Sequence, residues 1–149
     1  MIYTITLNPS LEKVIDVEEL LYDDVNKIDG VRRYAGGRGI DVSRVVKELG
    51  GQSIALGLIG GYEGLELEGR LINEGILCDF TRINGHTRTN NIIFQRKKKI
   101  QTLLSTVEPV INPVEITSFF NKVKEIPSQS YVVISGSIPT GLNENFYAQ

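Results

Sequence analysis

Apolar and polar positions along this chain repeat with two periods, 2 and 3.6, and each switch between them predicts an element boundary. "IYTITL" at 2–7 alternates β-branched and aromatic residues before the Asn8-Pro9 breaker and reads as a first strand. Residues 13–34 mix short β-like pieces, "KVIDV" and "VNKIDGVRRY", with acidic turns, a pattern suited to an accessory sheet or flap. From Ile40 the period lengthens. Val42, Val45, Val46 and Leu49 predict one helix face, and Gly50-Gly51 the stop. "SIALGLIG" at 53–60 predicts a buried strand, "LELEGRLINEG" a helix with Leu67 and Leu71 four apart, and "CDFTRI" one short strand.

Further on, "TRTNNIIFQRKKKIQTLLS" predicts a hairpin with its tip at Arg96 to Lys99. Asn112-Pro113 with Glu115 has the spacing of a capping box, so a helix through about Ile126 follows, with Ile116, Phe119, Phe120 and Val123 inward. "YVVIS" then predicts another buried strand, "GSIPTG" a turn, and "LNENFYAQ" the start of one more amphipathic helix. About three core parallel strands leave a sheet edge and helix faces to be covered. The expected organisation is the N-terminal half of a larger α/β protein.

Composition narrows the class. At 149 residues, 41% hydrophobic, the chain suits one globular core or part of one, and a net charge of -2 gives no general attraction to nucleic acid or anionic membrane. One cysteine and one histidine exclude an internal disulfide and leave a zinc site hardly possible. The N-terminus lacks the pattern of a secretory signal and no run of about 18 apolar residues occurs, so a cytoplasmic location is expected. The "RKKK" run reads as a solvated hairpin tip, His86 as a polar loop residue and Cys78 as a small apolar side chain.

Two glycine-rich stretches compete for a ligand. "GLIGGYEG" at 57–64 joins a strand to a helix without the G-x-G-x-x-G spacing, and no G-x-x-x-x-G-K-[ST] loop occurs, so a tight strand-to-helix turn is the better reading. "AGGRG" at 35–39 is the stronger candidate. It sets a cation and unpaired backbone N–H groups at a helix start, where an anion such as phosphate is favoured.

"TLNPSLEKVIDV", "AGGRGIDVSRVVKELG", "GLIGGYEG", "TRTN" and "VVISGSIPTGL" follow the order and spacing of the PfkB, or ribokinase-like, carbohydrate kinases. The chain resembles most the branch of 1-phosphofructokinases and tagatose-6-phosphate kinases. That resemblance implies a Rossmann-type parallel sheet with a small β lid, formed by residues about 13–34 and 88–105. It also implies phosphorylation of a sugar phosphate with ATP and Mg²⁺, and a homodimer formed through the lid. By motif, the implied substrate-binding residues are Glu12, Gly36, Gly37, Arg38, Gly39, Asp41 and Arg88, with Ser137 a further contact. Arg88 is the implied phosphate ligand, a role suited to its planar guanidinium.

The chain departs from the family pattern at Glu12 (usually Asp), Arg38 (usually Lys), Asp41 (usually Asn) and in "TVEPVI", where a "PGP"-like turn is usual. Asp41 gains from the helix dipole yet repels a phosphate at the same spot, so it is expected to stand where the anion would. The family's "GAGD" segment, source of its catalytic base and anion hole, does not occur here. No catalytic, metal or nucleotide ligand is therefore assigned within these residues. Two functions stay open: the sugar-phosphate-binding half of a kinase for tagatose 6-phosphate, fructose 1-phosphate or fructose 6-phosphate, and an inactive binding or dimerisation module.

Overall fold

The computed structural model describes residues 1–143 and 145–148. Its centre is a parallel sheet of β1 (Ile2–Thr6), β4 (Ser53–Ile59), β5 (Leu77–Cys78), β6 (Thr81–Arg82) and β9 (Tyr131–Ile134). The order is β5-β4-β1-β9, with β6 also paired to β4. Around it pack α1 (Arg38–Glu48), α2 (Gly61–Asn73) and α3 (Pro113–Lys124). A second sheet, β2 (Ser10–Val17), β3 (Gly30–Gly36), β7 (Arg88–Gln95) and β8 (Ile100–Ser105), runs in the order β3-β2-β7-β8. The two segments expected to form an accessory sheet thus meet in one, with β2 and β7 parallel at its middle.

Apolar burial holds the central sheet from both sides. Ile5, Leu7, Leu56, Leu58 and Phe119 form one cluster, joined by Ile116, Phe120 and Val123 as the period of α3 predicts. Ala35, Ile40, Ala55, Ile59, Leu67 and Leu71 form the other. The capping box of α3 is complete: Asn112 Oδ1 accepts from the N–H groups of Val114 and Glu115, and Glu115 Oε2 accepts from Asn112 N at 2.8 Å.

Several elements differ from expectation. The buried face of α1 is Gly39, Ile40 and Ser43, while Val45 and Leu49 are 53% and 82% exposed. Gly39 lets the helix approach β1 so closely that a Cβ there would lie 2.5 Å from Thr6 Oγ1, and Ser43 Oγ meets Thr4 Oγ1 at 2.6 Å. That small-residue face, not the valine stripe, turns to the sheet. β9 is an exposed strand rather than a buried one, with Tyr131, Val132 and Ile134 open to solvent, because β1 is its sole partner among the described residues. "CDFTRI" splits into two short strands where Phe80 turns into the core.

The helix expected from Leu65 starts at Gly61, so the turn in "GLIGGYEG" reduces to Gly60, where a Cβ would collide with the carbonyls of Ile83 and Gly85. The helix expected over 142–149 falls partly outside the described residues, which carry a single 3-10 turn at Phe146–Ala148. The hairpin tip is where the sequence puts it. Three of its cations are paired with nearby carboxylates, Arg96 with Glu18 and Asp29, Lys97 and Lys98 with Glu19.

Candidate functional site

Where the two sheets meet, β1 ends at Thr6 and the chain turns through Asn8-Pro9 into β2, opposite the glycine turn that starts α1. The β2–β7 register sets Ser10 opposite Arg88 and Glu12 opposite Asn90. Since side chains alternate along a strand, these four point to one face, and they look into a hollow of about 340 Å³. Thr6, Asn8, Gly37, Arg38, Asp41, Gly136 and Ser137 complete its lining.

Of the sequence-assigned residues, Glu12, Gly37, Arg38, Asp41, Arg88 and Ser137 share this hollow. Gly36 and Gly39 do not line it. A Cβ on Gly36 would lie 2.5 Å from Glu12 Cγ, so its bareness makes room for the Glu12 side chain, while Gly39 seats α1 on β1. Gly37, at φ +143 and with Thr6 Cγ2 2.6 Å from where its Cβ would be, needs to be glycine on both counts. It caps α1 without a side chain, and Thr6 Oγ1 instead accepts from Ile40 N at 3.1 Å. The N–H groups of Arg38 and Gly39 have no intrahelical acceptor, as at any helix start.

The polar side chains form one network. Glu12 Oε1 accepts from Ser10 Oγ at 2.5 Å and Asn90 Nδ2 at 2.8 Å, and Ser105 Oγ donates to Asn90 Oδ1 at 2.7 Å. Arg88 is held loosely, Nη2 donating to the Asn8 carbonyl at 3.3 Å and Nη1 to Ser105 Oγ at 3.5 Å. Asn8 Nδ2 donates to Glu108 Oε1 at 2.7 Å and to Ser137 Oγ at 3.0 Å. Arg38 is exposed and forms no ion pair among the described residues, whereas Asp41 receives Arg44 Nη1 at 3.0 Å. Two buried polar atoms of the hollow's lining, Asn8 Oδ1 and Arg88 Nε, lack a protein partner among the described residues.

Sequence reasoning did not assign Thr6, Asn8, Ser10, Asn90 or Gly136. Strand parity could have found Ser10 and Asn90, each two residues from an assigned neighbour on the same face. In the sequence, Asn8 before Pro9 marks only the end of a strand. Its bond to Glu108, a hundred residues away, has no local signature.

A profile of the "pfkB family carbohydrate kinase" matches residues 6–149. The chain belongs to the PfkB family. Among PfkB relatives, a D-tagatose-1-phosphate kinase from Bacillus licheniformis is 33% identical over 147 residues, covering 99% of this chain and 47% of its own. A 1-phosphofructokinase from Borreliella burgdorferi is 37% identical over the same shares. Phosphofructokinase-2 from Escherichia coli, solved with fructose-6-phosphate, superposes with a TM-score of 0.88 at 29% identity over 95% of this chain and 47% of that one. The same enzyme has been solved in a tetrameric inhibited form, at a TM-score of 0.87. The chain spans about half the length of the curated relatives it matches. The ribokinase-like α/β fold expected from the sequence is thereby established, and the PfkB relatives are sugar-phosphate kinases. Among the described residues no helix is long and apolar enough to cross a membrane.

Proposed function

We propose that this chain is the sugar-phosphate-binding half of a PfkB-type hexose-phosphate kinase. The observation that carries the reading is the convergence of Arg88 and Arg38 with Ser10, Glu12 and Asn90 on one hollow at a helix start. The cations suit a phosphate and the carboxylate–amide pair suits sugar hydroxyls. Gly37 brings the backbone close, Ser137 offers a further hydroxyl, Gly36 and Gly39 shape the walls, and Asp41 stands at the rim. The second sheet, through residues 13–34 and 88–105, acts as a lid on this part of the kinase domain.

Tagatose 6-phosphate, fructose 1-phosphate and fructose 6-phosphate are the proposed acceptors, to which the name of the B. licheniformis relative adds tagatose 1-phosphate. ATP with Mg²⁺ is the phosphoryl donor proposed for the whole kinase. Mg²⁺ with a nucleotide is usually held by one or two carboxylates beside phosphate oxygens and water, and the carboxylates lining the hollow are Glu12 and Asp41. Within the hollow, Glu12 is engaged by Ser10 and Asn90, and Asp41 by Arg44. No transfer step is therefore assigned to them, and the chain is proposed to bind its sugar phosphate without turning it over.

Thermal denaturation of the chain with each sugar phosphate, with fructose and with ATP tests this. A sugar phosphate at a hundred times its Kd should add about 2.7 kcal/mol, or roughly 5–10 °C, and fructose far less. Equal responses to fructose and its phosphates would overturn the reading. A second reading, a dimerisation module, draws on Tyr34 and Leu103, which the register sets on the Glu12–Asn90 face and which are 42% and 58% exposed. Sedimentation of a Leu103→Lys variant tests the homodimer through this sheet: the substitution should yield monomers.

A further inference from the structure

Residue 108 lies in the segment where this chain departs from the family pattern, and its side chain meets Asn8, which lines the hollow. A carboxylate is an acceptor only, so the Asn8 amide must turn its NH₂ group, not its oxygen, toward Glu108 Oε1, 2.7 Å away. The second proton of that NH₂ goes to Ser137 Oγ at 3.0 Å. Ser137 therefore accepts from Asn8, and its own proton has no acceptor among the described residues. Ser137 is exposed and lines the hollow. Glu108 is held from its other side, Thr140 Oγ1 donating to Oε2 at 3.4 Å.

We propose that Glu108 is a positioning residue that fixes the direction of the hydrogen-bond chain from Ser137 through Asn8 to Glu108, so that Ser137 presents a proton donor to the bound ligand. The chain joins three segments distant in sequence: the turn after β1, the link from β8 to α3, and the turn after β9. A glutamine at 108 can offer its own NH₂ to Asn8. The Asn8 amide can then reverse, its oxygen takes the Ser137 proton, and the hydroxyl turns a lone pair toward the hollow. An anionic ligand then meets an acceptor where it had met a donor. Glu108 touches no ligand itself. Its effect runs entirely through Ser137, which makes it separable from a merely structural role.

This inference rests on the sugar-phosphate reading, and the test separates the two. Calorimetric titration of fructose 6-phosphate and fructose 1-phosphate is done on the full chain and on Glu108→Gln, Glu108→Asp, Ser137→Ala and the Glu108→Gln/Ser137→Ala double variant, with thermal midpoints recorded for each. Glu108→Gln should weaken binding about fivefold when Ser137 is present and less than about twofold when it is alanine, the non-additivity expected of coupled groups. Glu108→Asp keeps an acceptor-only group and should retain most of the affinity at an unchanged thermal midpoint. If Glu108→Gln binds as tightly as the unsubstituted chain, or loses equally in both backgrounds, the relay is overturned while the sugar-phosphate reading stands. If the unsubstituted chain binds neither sugar phosphate, that reading falls and the relay with it.

Discussion

Replacing Arg88 by glutamine separates the phosphate role from a structural one. In the free chain the guanidinium makes only two long hydrogen bonds, at 3.3 and 3.5 Å, and its Nε has no partner among the described residues. Little folding stability rests on bonds of that length, so Arg88→Gln should lower the unfolding free energy by about 0.5–1 kcal/mol at most. A bound phosphate monoester is different: two parallel charge-assisted bonds in a half-open hollow should contribute about 2–3 kcal/mol, a loss of affinity of roughly 30- to 150-fold on substitution. Titration calorimetry with fructose 6-phosphate and with fructose, beside urea denaturation of both proteins, reads the two quantities apart. The loss should be confined to the phosphorylated sugar. It should also shrink below about pH 6, where the phosphate sheds part of its charge. An Arg88→Gln variant that keeps its affinity, or that loses fructose and its phosphate equally, would refute the assignment.

Other outcomes follow from the same geometry. Asp41→Asn should tighten sugar-phosphate binding by about threefold to tenfold in low salt, since an exposed like charge at the rim is removed while Arg44 stays held by Glu74 and the Ala35 carbonyl; calorimetry across ionic strengths checks it. Asn112→Ala should cost about 1 kcal/mol, a fall of roughly 3 °C in Tm, through loss of the α3 cap. Glu19 is held down to about 2 from its ordinary 4.5 by hydrogen bonds from Lys97 and Lys98 and by their charge. With a depressed folded-state pKa, its contribution is present above about pH 4.5 and is lost as pH falls through about 2. Carboxyl titration by NMR should show that low midpoint, and added salt should raise it because Lys97 and Lys98 are exposed to solvent.

How much of this was legible depends on whether the signal is local. The capping box of α3 lies within four residues, and the charged hairpin tip within four, so both could be read from sequence. The parity that aligns Arg88 with Asn90 was equally readable, yet only Arg88 was assigned. Periodicity tells which residues are apolar but not which apolar face finds a partner. Hence the Val45–Leu49 stripe of α1 was expected inward although Gly39 and Ser43 decide the packing, and "YVVIS" was expected buried although β9 borders a single strand. Glu108 and Asn8 were illegible for a further reason. Their meeting is a property of three turns brought together by the finished fold.

The parallel pairing of β2 with β7 carries a consequence for how the molecule forms. Strand neighbours this far apart in sequence cannot zip from a hairpin, and their loop-closure entropy is met before any contact compensates it. During synthesis, Ser10 and Glu12 emerge early and wait for Arg88, Asn90 and Ser137, which leave the ribosome long after them. The hollow therefore cannot form until β7 and the turn at Ser137 have joined the early strands, and any ligand it takes meets only molecules in which that closure has already happened.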